Sequence, residues 1–179
     1  MLLTGGSSRR MGTAKAGLLL EGETLARRAA RVLGAVCESV VEVGPGWTEL
    51  PSVLEDPPGS GPLAALVAGA DALDVHGPVL LLACDLPFVE EELLRLLIDW
   101  PGVATVVPID AAGVAQPVCA RYSAVGIERA RALLATGERS LQPLVSDRGA
   151  ERISGFPVRA LTDVDTPETA RELGLEFPR

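Results

Sequence analysis

Apolar residues recur along this chain with two different periods, and the switching between them marks out strands and helices. Val79-Leu-Leu-Leu-Ala83 is apolar without a break, the pattern of a parallel strand covered on both faces. Shorter apolar or alternating runs predict strands at residues 1–4, 39–43, 53–54, 103–107 and 118–120. Leu25, Ala29, Val32, Leu33 and Val36 fall at helical spacing, so a helix is expected from about Thr24 to Ala35, led in by Leu18-Leu-Leu20 and Gly22. Arg27, Arg28 and Arg31 lie on its other side and read as a solvated face. Pro62 suits a first helical turn, and Leu63, Leu66, Val67 and Ala70 mark the helix behind it. Further helices are expected over 90–99, 123–135 and 140–145, with a turn at Asp110 to Gly113. Ile153 and Val158 belong to short extended pieces, and Thr166 can cap a last helix begun by Pro167. This alternation predicts a single α/β domain over residues 1–179 with a mainly parallel sheet.

Composition narrows the chemistry. With 179 residues, 47% of them hydrophobic, the chain can bury a real core; with 3% aromatics, that core must be Leu, Val and Ala. A formal net charge of -8 disfavours non-specific nucleic-acid binding, which rests on many Lys and Arg, but leaves room for a nucleotide at a local basic loop. Cys37, Cys84 and Cys119 are far apart, form no C-x-x-C and sit beside apolar residues, so buried free thiols are expected. His76, the single histidine, cannot build a metal cluster alone. With no secretory leader and no membrane-length apolar run, a cytoplasmic enzyme is the expectation.

The basic loop stands at the start. Leu3 ends an apolar stub; Gly5, Gly6, Arg9, Arg10, Gly12 and Lys15 follow. Small residues let backbone N–H groups approach an anion, and the basic side chains offset phosphate charge. The glycine spacing is neither G-x-G-x-x-G nor a P-loop, because Ala14 and Ala16 flank Lys15. Hydride transfer and ordinary ATPase or GTPase chemistry are therefore disfavoured. Asp56, Asp85, Asp163 and Asp165 lie at or beyond strand ends, where open α/β sheets bind ligands. A basic loop with carboxylates suits nucleotidyl transfer, which needs positioning and charge compensation rather than a protein nucleophile.

Leu3-Thr-Gly-Gly-Ser-Ser-Arg-Arg-Met-Gly-Thr-Ala-Lys15 resembles L-A-G-G-x-S-x-R-M-G-x-D-K, the signature of the molybdenum cofactor guanylyltransferases. Thr4 stands in place of Ala, and Ala14 in place of an acidic residue that could orient Lys15. Further blocks follow in family order: Glu55-Asp56, Gly61-Pro-Leu-Ala-Ala65 for G-P-L-A-G, Cys84-Asp-Leu-Pro87 for C-D-x-P, Gln116-Pro-Val-Cys-Ala-Arg-Tyr122 for H-P-x-x-A-x-Y, and Asp163-Val-Asp-Thr-Pro-Glu168 for N-x-N-T-P-E.

The resemblance implies a Rossmann-like, three-layer sandwich with a mainly parallel mixed sheet, of the nucleotide-diphospho-sugar transferase type. Its central first strand is longer than residues 1–4, so either the sheet tolerates a short strand or the start is clipped. The nucleotide is expected over about 1–100 and the acceptor over about 101–179, near Gln116 and Ser140 to Gln142. The implied reaction moves GMP from GTP to molybdopterin, releasing pyrophosphate, with Mg2+ as cofactor and molybdoenzyme maturation proteins as partners. Implied catalytic residues are Arg10, Lys15 and Asp85, with Arg9 the more solvent-facing of the two arginines. Implied nucleotide-binding residues are Leu3, Thr4, Gly5, Gly6, Lys15, Asp56 and Asp85. Mg2+ falls to Asp85 and to one of the two later aspartates, here taken as Asp165. Two alternatives stay open: a nucleotidyltransferase using CTP or another acceptor, and a nucleotide-binding partner protein without turnover.

Overall fold

The unbroken apolar run at 79–83 demands cover on both faces, and it lies mid-sheet with helices on either side. The computed structural model describes residues 1–6, 11–74, 76–146 and 150–178. Its strands are β1 (Leu2–Leu3), β2 (Leu19–Leu20), β3 (Glu23–Thr24), β4 (Glu42–Val43), β5 (Ser52–Val53), β6 (Val79–Ala83), β7 (Thr105–Pro108), β8 (Cys119–Tyr122) and β9 (Ala150–Ile153). Its helices are α1 (Leu25–Gly34), α2 (Pro62–Leu73), α3 (Glu91–Asp99), α4 (Ala124–Ala135), α5 (Gln142–Val145) and α6 (Pro167–Glu172), with 3-10 turns at Lys15–Gly17 and Val158–Leu161.

Among the described residues seven strands make one mixed sheet, in the order β5-β4-β1-β6-β8-β7-β9. The run β5-β4-β1-β6 is parallel, β8 lies antiparallel to both β6 and β7, and β7 pairs parallel with β9. Side chains alternate between two cores as the pleat requires. Leu3, Val43, Leu81, Ala83, Ala120 and Tyr122 pack in the core that α2, α4 and α5 cover. Leu2, Leu80, Leu82, Cys84, Val106 and Cys119 pack under α1 and α3. Each fully buried leucine contributes about 2 kcal/mol of transfer free energy, and aliphatic residues dominate both cores, as the low aromatic content requires.

Several expectations change. Leu18 to Gly22 does not simply lead into a helix: β2 and β3 form a hairpin, and its turn residues Glu21 and Gly22 have φ of 55° and 81°. Positive φ at both central positions suits the right-handed twist of a two-residue hairpin. Val103 is exposed and β7 begins only at Thr105. Val158 opens a 3-10 turn instead of lying in an extended piece. The arginine face of α1 is only partly solvated, because Arg28 Nε donates to the Pro87 carbonyl at 2.8 Å. Thr24, Ser123 and Thr166 cap α1, α4 and α6 through their side-chain oxygens.

Arg121 is buried, and its guanidinium donates to the carbonyls of Ile98, Trp100, Gly102 and Ala104 at 2.9–3.4 Å. One side chain thus holds the whole α3–β7 connection. Among the described residues no helix is long and apolar enough to cross a membrane.

Candidate functional site

Adjacent parallel strands finish at the same level, so whatever follows them meets at one edge. Leu3 pairs with Ala83, and Thr4-Gly5-Gly6 and Cys84-Asp85 leave the sheet side by side. Cys84 N–H donates to the Leu3 carbonyl at 3.0 Å. Between them lies a cavity of about 200 Å3, lined by Leu3, Thr4, Gly5, Gly6, Lys15 and Asp85 among others. A second cavity, of about 500 Å3, shares Leu3, Gly5, Gly6 and Pro62 with the first and continues past Glu55, Gly59, Gly61 and Ala65. The two adjoin at these shared residues and form one cleft.

Lys15 stands in the wall of the smaller cavity. Its Nζ stands 2.9 Å from Asp85 Oδ2 and 2.5 Å from Asp165 Oδ1. Residues at 15, 85 and 165 therefore converge, through the 3-10 turn, the end of β6 and the turn before α6. Val164 N–H donates to the Asp85 carbonyl at 3.0 Å and fixes that last turn against the second. Burial works against the Lys15 charge, but the Asp85 and Asp165 carboxylates outweigh it and raise its pKa. The acid missing at Ala14 is thus replaced, for holding Lys15, by two carboxylates distant in sequence. Asp163 is exposed, yet desolvation by the surrounding residues first, then the Asp165 and Asp85 charges, push its pKa up.

A hard cation fits this arrangement. Asp85 Oδ1 is buried and has no hydrogen-bond partner among the described residues, an orphaned acceptor beside a partly exposed second carboxylate, Asp165. Among the described residues no three His, Cys, Asp or Glu side chains are grouped to hold a metal ion. One or two carboxylates completed by substrate oxygens and water are the donor set that suits Mg2+ or Mn2+.

The other expected residues are placed as follows. Arg9 and Arg10 lie outside the described residues. Asp56 is exposed, at a cis bond to Pro57, and it is Glu55 that lines the cleft. Glu55 Oε1 accepts from Gly59 N–H at 2.9 Å. Ala65 is buried in the wall of the larger cavity, where its methyl narrows the space a Gly would leave. Gln116 Nε2 donates to the Leu161 carbonyl at 3.4 Å, and Val118, two residues on, reaches the smaller cavity. The backbone carbonyl of Arg139, just before Ser140, accepts the Leu63 N–H at 3.1 Å, so the expected acceptor side touches the start of α2. Met11, the signature residue that phosphate binding does not demand, is buried with Leu18, Leu20, Leu25 and Val164.

Two contributors escape sequence reasoning. Glu42 is fully buried within β4 and binds Thr4; its only sequence signal is a charge inside an apolar strand. Arg28 escapes because nothing in its helical spacing says that Pro87 lies above it.

Residues 1–152 match the family described as a MobA-like NTP transferase domain. A Chloroflexus aggregans protein named as a probable molybdenum cofactor guanylyltransferase is 33% identical over 186 residues, spanning 94% of this chain and 89% of its own length. Molybdopterin-guanine dinucleotide biosynthesis protein A from Archaeoglobus fulgidus superposes with a TM-score of 0.76 at 19% identity, over 96% of this chain and 94% of its own. Rv0371C from Mycobacterium tuberculosis, solved as a manganese complex, gives 0.73 at 19% identity over 96% and 95%. At these identities the two solved structures speak for the fold, and the α/β fold class expected above is the one observed.

Proposed function

Because this chain belongs to the MobA-like NTP transferase family, we propose that it transfers GMP from GTP to a molybdopterin-type acceptor, releasing pyrophosphate. The observation that carries this is the convergence of Lys15, Asp85 and Asp165 at the mouth of a cleft floored by Gly5 and Gly6. An oxygen of the acceptor phosphate attacks the α-phosphorus of GTP. The bond from that phosphorus to the β-phosphate oxygen breaks, and its electron pair leaves with pyrophosphate. No protein nucleophile is needed. The Gly6 backbone N–H can meet a phosphate oxygen, while the Gly5 N–H is donated at 3.4 Å to the Val43 carbonyl. Lys15, held charged by its carboxylates, offsets the charge that grows on the leaving pyrophosphate, with Arg10 assisting.

Asp85 and Asp165 would hold a divalent cation, taken here as Mg2+. Bound there, it would supply Lewis-acid neutralisation of phosphate charge. A neighbour of the same fold crystallised with manganese supports a divalent site in general. On this reading residues 1–100 bind the nucleotide and 101–179 the acceptor within one domain, with Gln116, Val118 and Ser140 to Gln142 on the acceptor side. The base lies along Glu55, Gly59 and Ala65, where Glu55 joins Asp56 as a candidate acceptor for guanine N–H groups. The protein works in the cytoplasm, with molybdoenzyme maturation proteins as candidate recipients of its product.

The test is to titrate GTP and CTP with and without Mg2+, then add molybdopterin and follow pyrophosphate. Metal-dependent release with GTP alone is the expected result. Release with CTP moves the base assignment, and binding without release under any acceptor condition refutes an enzyme.

A further inference from the structure

Glu42 lies fully buried in the sheet, one strand away from the nucleotide cleft, and its carboxylate accepts five hydrogen bonds. Oε1 takes the Thr4 hydroxyl at 2.5 Å and the backbone N–H groups of Gly46 at 3.0 Å and Trp47 at 2.7 Å. Oε2 takes the Thr48 N–H at 2.9 Å and the Thr48 hydroxyl at 2.6 Å. Burial alone would raise this carboxyl's pKa; the hydrogen bonds outweigh it and hold it below the usual value, so the group stays charged at neutral pH.

The five donors belong to two structures. Thr4 is the residue from which Gly5 and Gly6 depart, and the β4 backbone comes so close that a Cβ at Gly44 would stand 2.0 Å from Thr4 Oγ1. Gly46, Trp47 and Thr48 belong to the connection after β4, which Glu42 pulls into a tight turn. That turn lays the Trp47 indole over Gly17, where a Cβ would meet ring carbon Cζ3 at 3.0 Å. Gly17 closes the 3-10 turn that begins at Lys15.

We propose that Glu42 is a positioning residue for nucleotidyl transfer, fixing both ends of the nucleotide loop at once: the strand end at Thr4 directly, and the Lys15 turn through Trp47. The proposal rests on the reading that Gly5, Gly6 and Lys15 hold the triphosphate. A valine, like its chain neighbours Val41 and Val43, would hold neither end. Thr4, a departure from the signature's Ala, supplies the hydroxyl that this carboxylate needs.

The test uses the full chain with GTP and Mg2+, read by calorimetry and by Trp47 emission in a Trp100→Phe background. Glu42→Gln keeps the shape but places an amide NH2 where donors already point. It is expected to weaken GTP about tenfold and to shift Trp47 emission to the red. Thr4→Val weakens GTP more than Thr4→Ser, which keeps the hydroxyl. Trp47→Ala weakens GTP more than Trp47→Phe, which keeps an aromatic ring over Gly17.

Loss of a nearby negative charge acting only through electrostatics would tighten GTP instead, so that sign overturns the proposal. GTP affinities within about twofold of wild type for Glu42→Gln, Thr4→Val and Trp47→Ala also overturn it. If Glu42→Gln does not fold, the Thr4 and Trp47 pairs decide by the same comparison. A wild-type protein that binds no nucleoside triphosphate refutes the functional reading and this role with it. A wild type that binds beside variants that bind equally well refutes this role alone.

Discussion

Asp85 and Asp165 touch the same ammonium, yet their surroundings make them unequal, and that inequality can be measured. The Asp85 side chain is 23% exposed and the Asp165 side chain 53%. A unit charge about 4 Å from another is worth about 4 kcal/mol at the effective dielectric of a partly buried site and about 1 kcal/mol in water. Asp85→Asn is isosteric and removes the more shielded charge, together with the orphaned Oδ1. Its cost to the transition state should approach the larger figure, a fall of about 10^3-fold in rate. Asp165→Asn should sit near the smaller, about fivefold. Each variant leaves Lys15 its ion pair with the other of these two carboxylates, so neither should lower Tm by more than about 4 °C. The assay is the initial rate of pyrophosphate release from GTP with Mg2+ and molybdopterin, with GTP affinity and Tm measured on the same preparations. Equal losses in the two variants, or a larger loss at Asp165, would refute the assignment of Asp85 as the principal charge of the site.

Three other outcomes are expected. Replacing Arg121 by Met leaves four carbonyls without their donor and should lower stability by about 3 kcal/mol, or roughly 10 °C in Tm; a loss under about 2 °C would show that the α3–β7 connection holds itself. Lys15 has a raised pKa, so its contribution to stability is fully present below the ordinary value of 10.5 and fades as pH rises through the folded value. The denaturant-midpoint gap between wild type and Lys15→Met should accordingly stay level at neutral and mildly alkaline pH and narrow above 10.5. Burial pushes the Cys119 thiol up to about 12 and the Cys84 thiol higher still, while Cys37 is partly exposed and only moderately raised; thiol titration at mildly alkaline pH should find slow reaction at Cys37 and the other two only after denaturation.

What the sequence made legible is what period and spacing encode. The 79–83 strand, the Pro62 start of α2 and the Thr166 cap of α6 stand where local chemistry put them. Lys15 and Asp85 were nameable because each sits in a dense motif at a strand end, and their meeting follows from β1 and β6 being parallel neighbours. The β2–β3 hairpin was missed because Leu19-Leu20 and Glu23-Thr24 are too short to show alternation, and its turn is set by backbone dihedrals that Glu21 does not advertise. Glu55 and Asp56 are adjacent carboxylates, and only the path of the chain decides which lines the cleft. Arg28 and Glu42 act on partners brought near by the sheet, at Pro87 and Thr4, and no local pattern contains that information.

The reversed direction of β8 has a consequence for what such a protein can come to modify. Both the end of β7 and the start of β8 face the cleft, so the chain from 109 to 118 spans the rim as an arch with both feet in the sheet. The segments that leave β1 and β5 at the same rim lead on to helices, and any insertion there must still launch α1 or α2 at the right angle. The arch launches nothing. Its outer part, between Ile109 and Ala115, can change without moving a helix, whereas Gln116 and Val118 are tied to the Leu161 and Ala83 backbones; on the function proposed above, a change of acceptor would be a change of that outer arch.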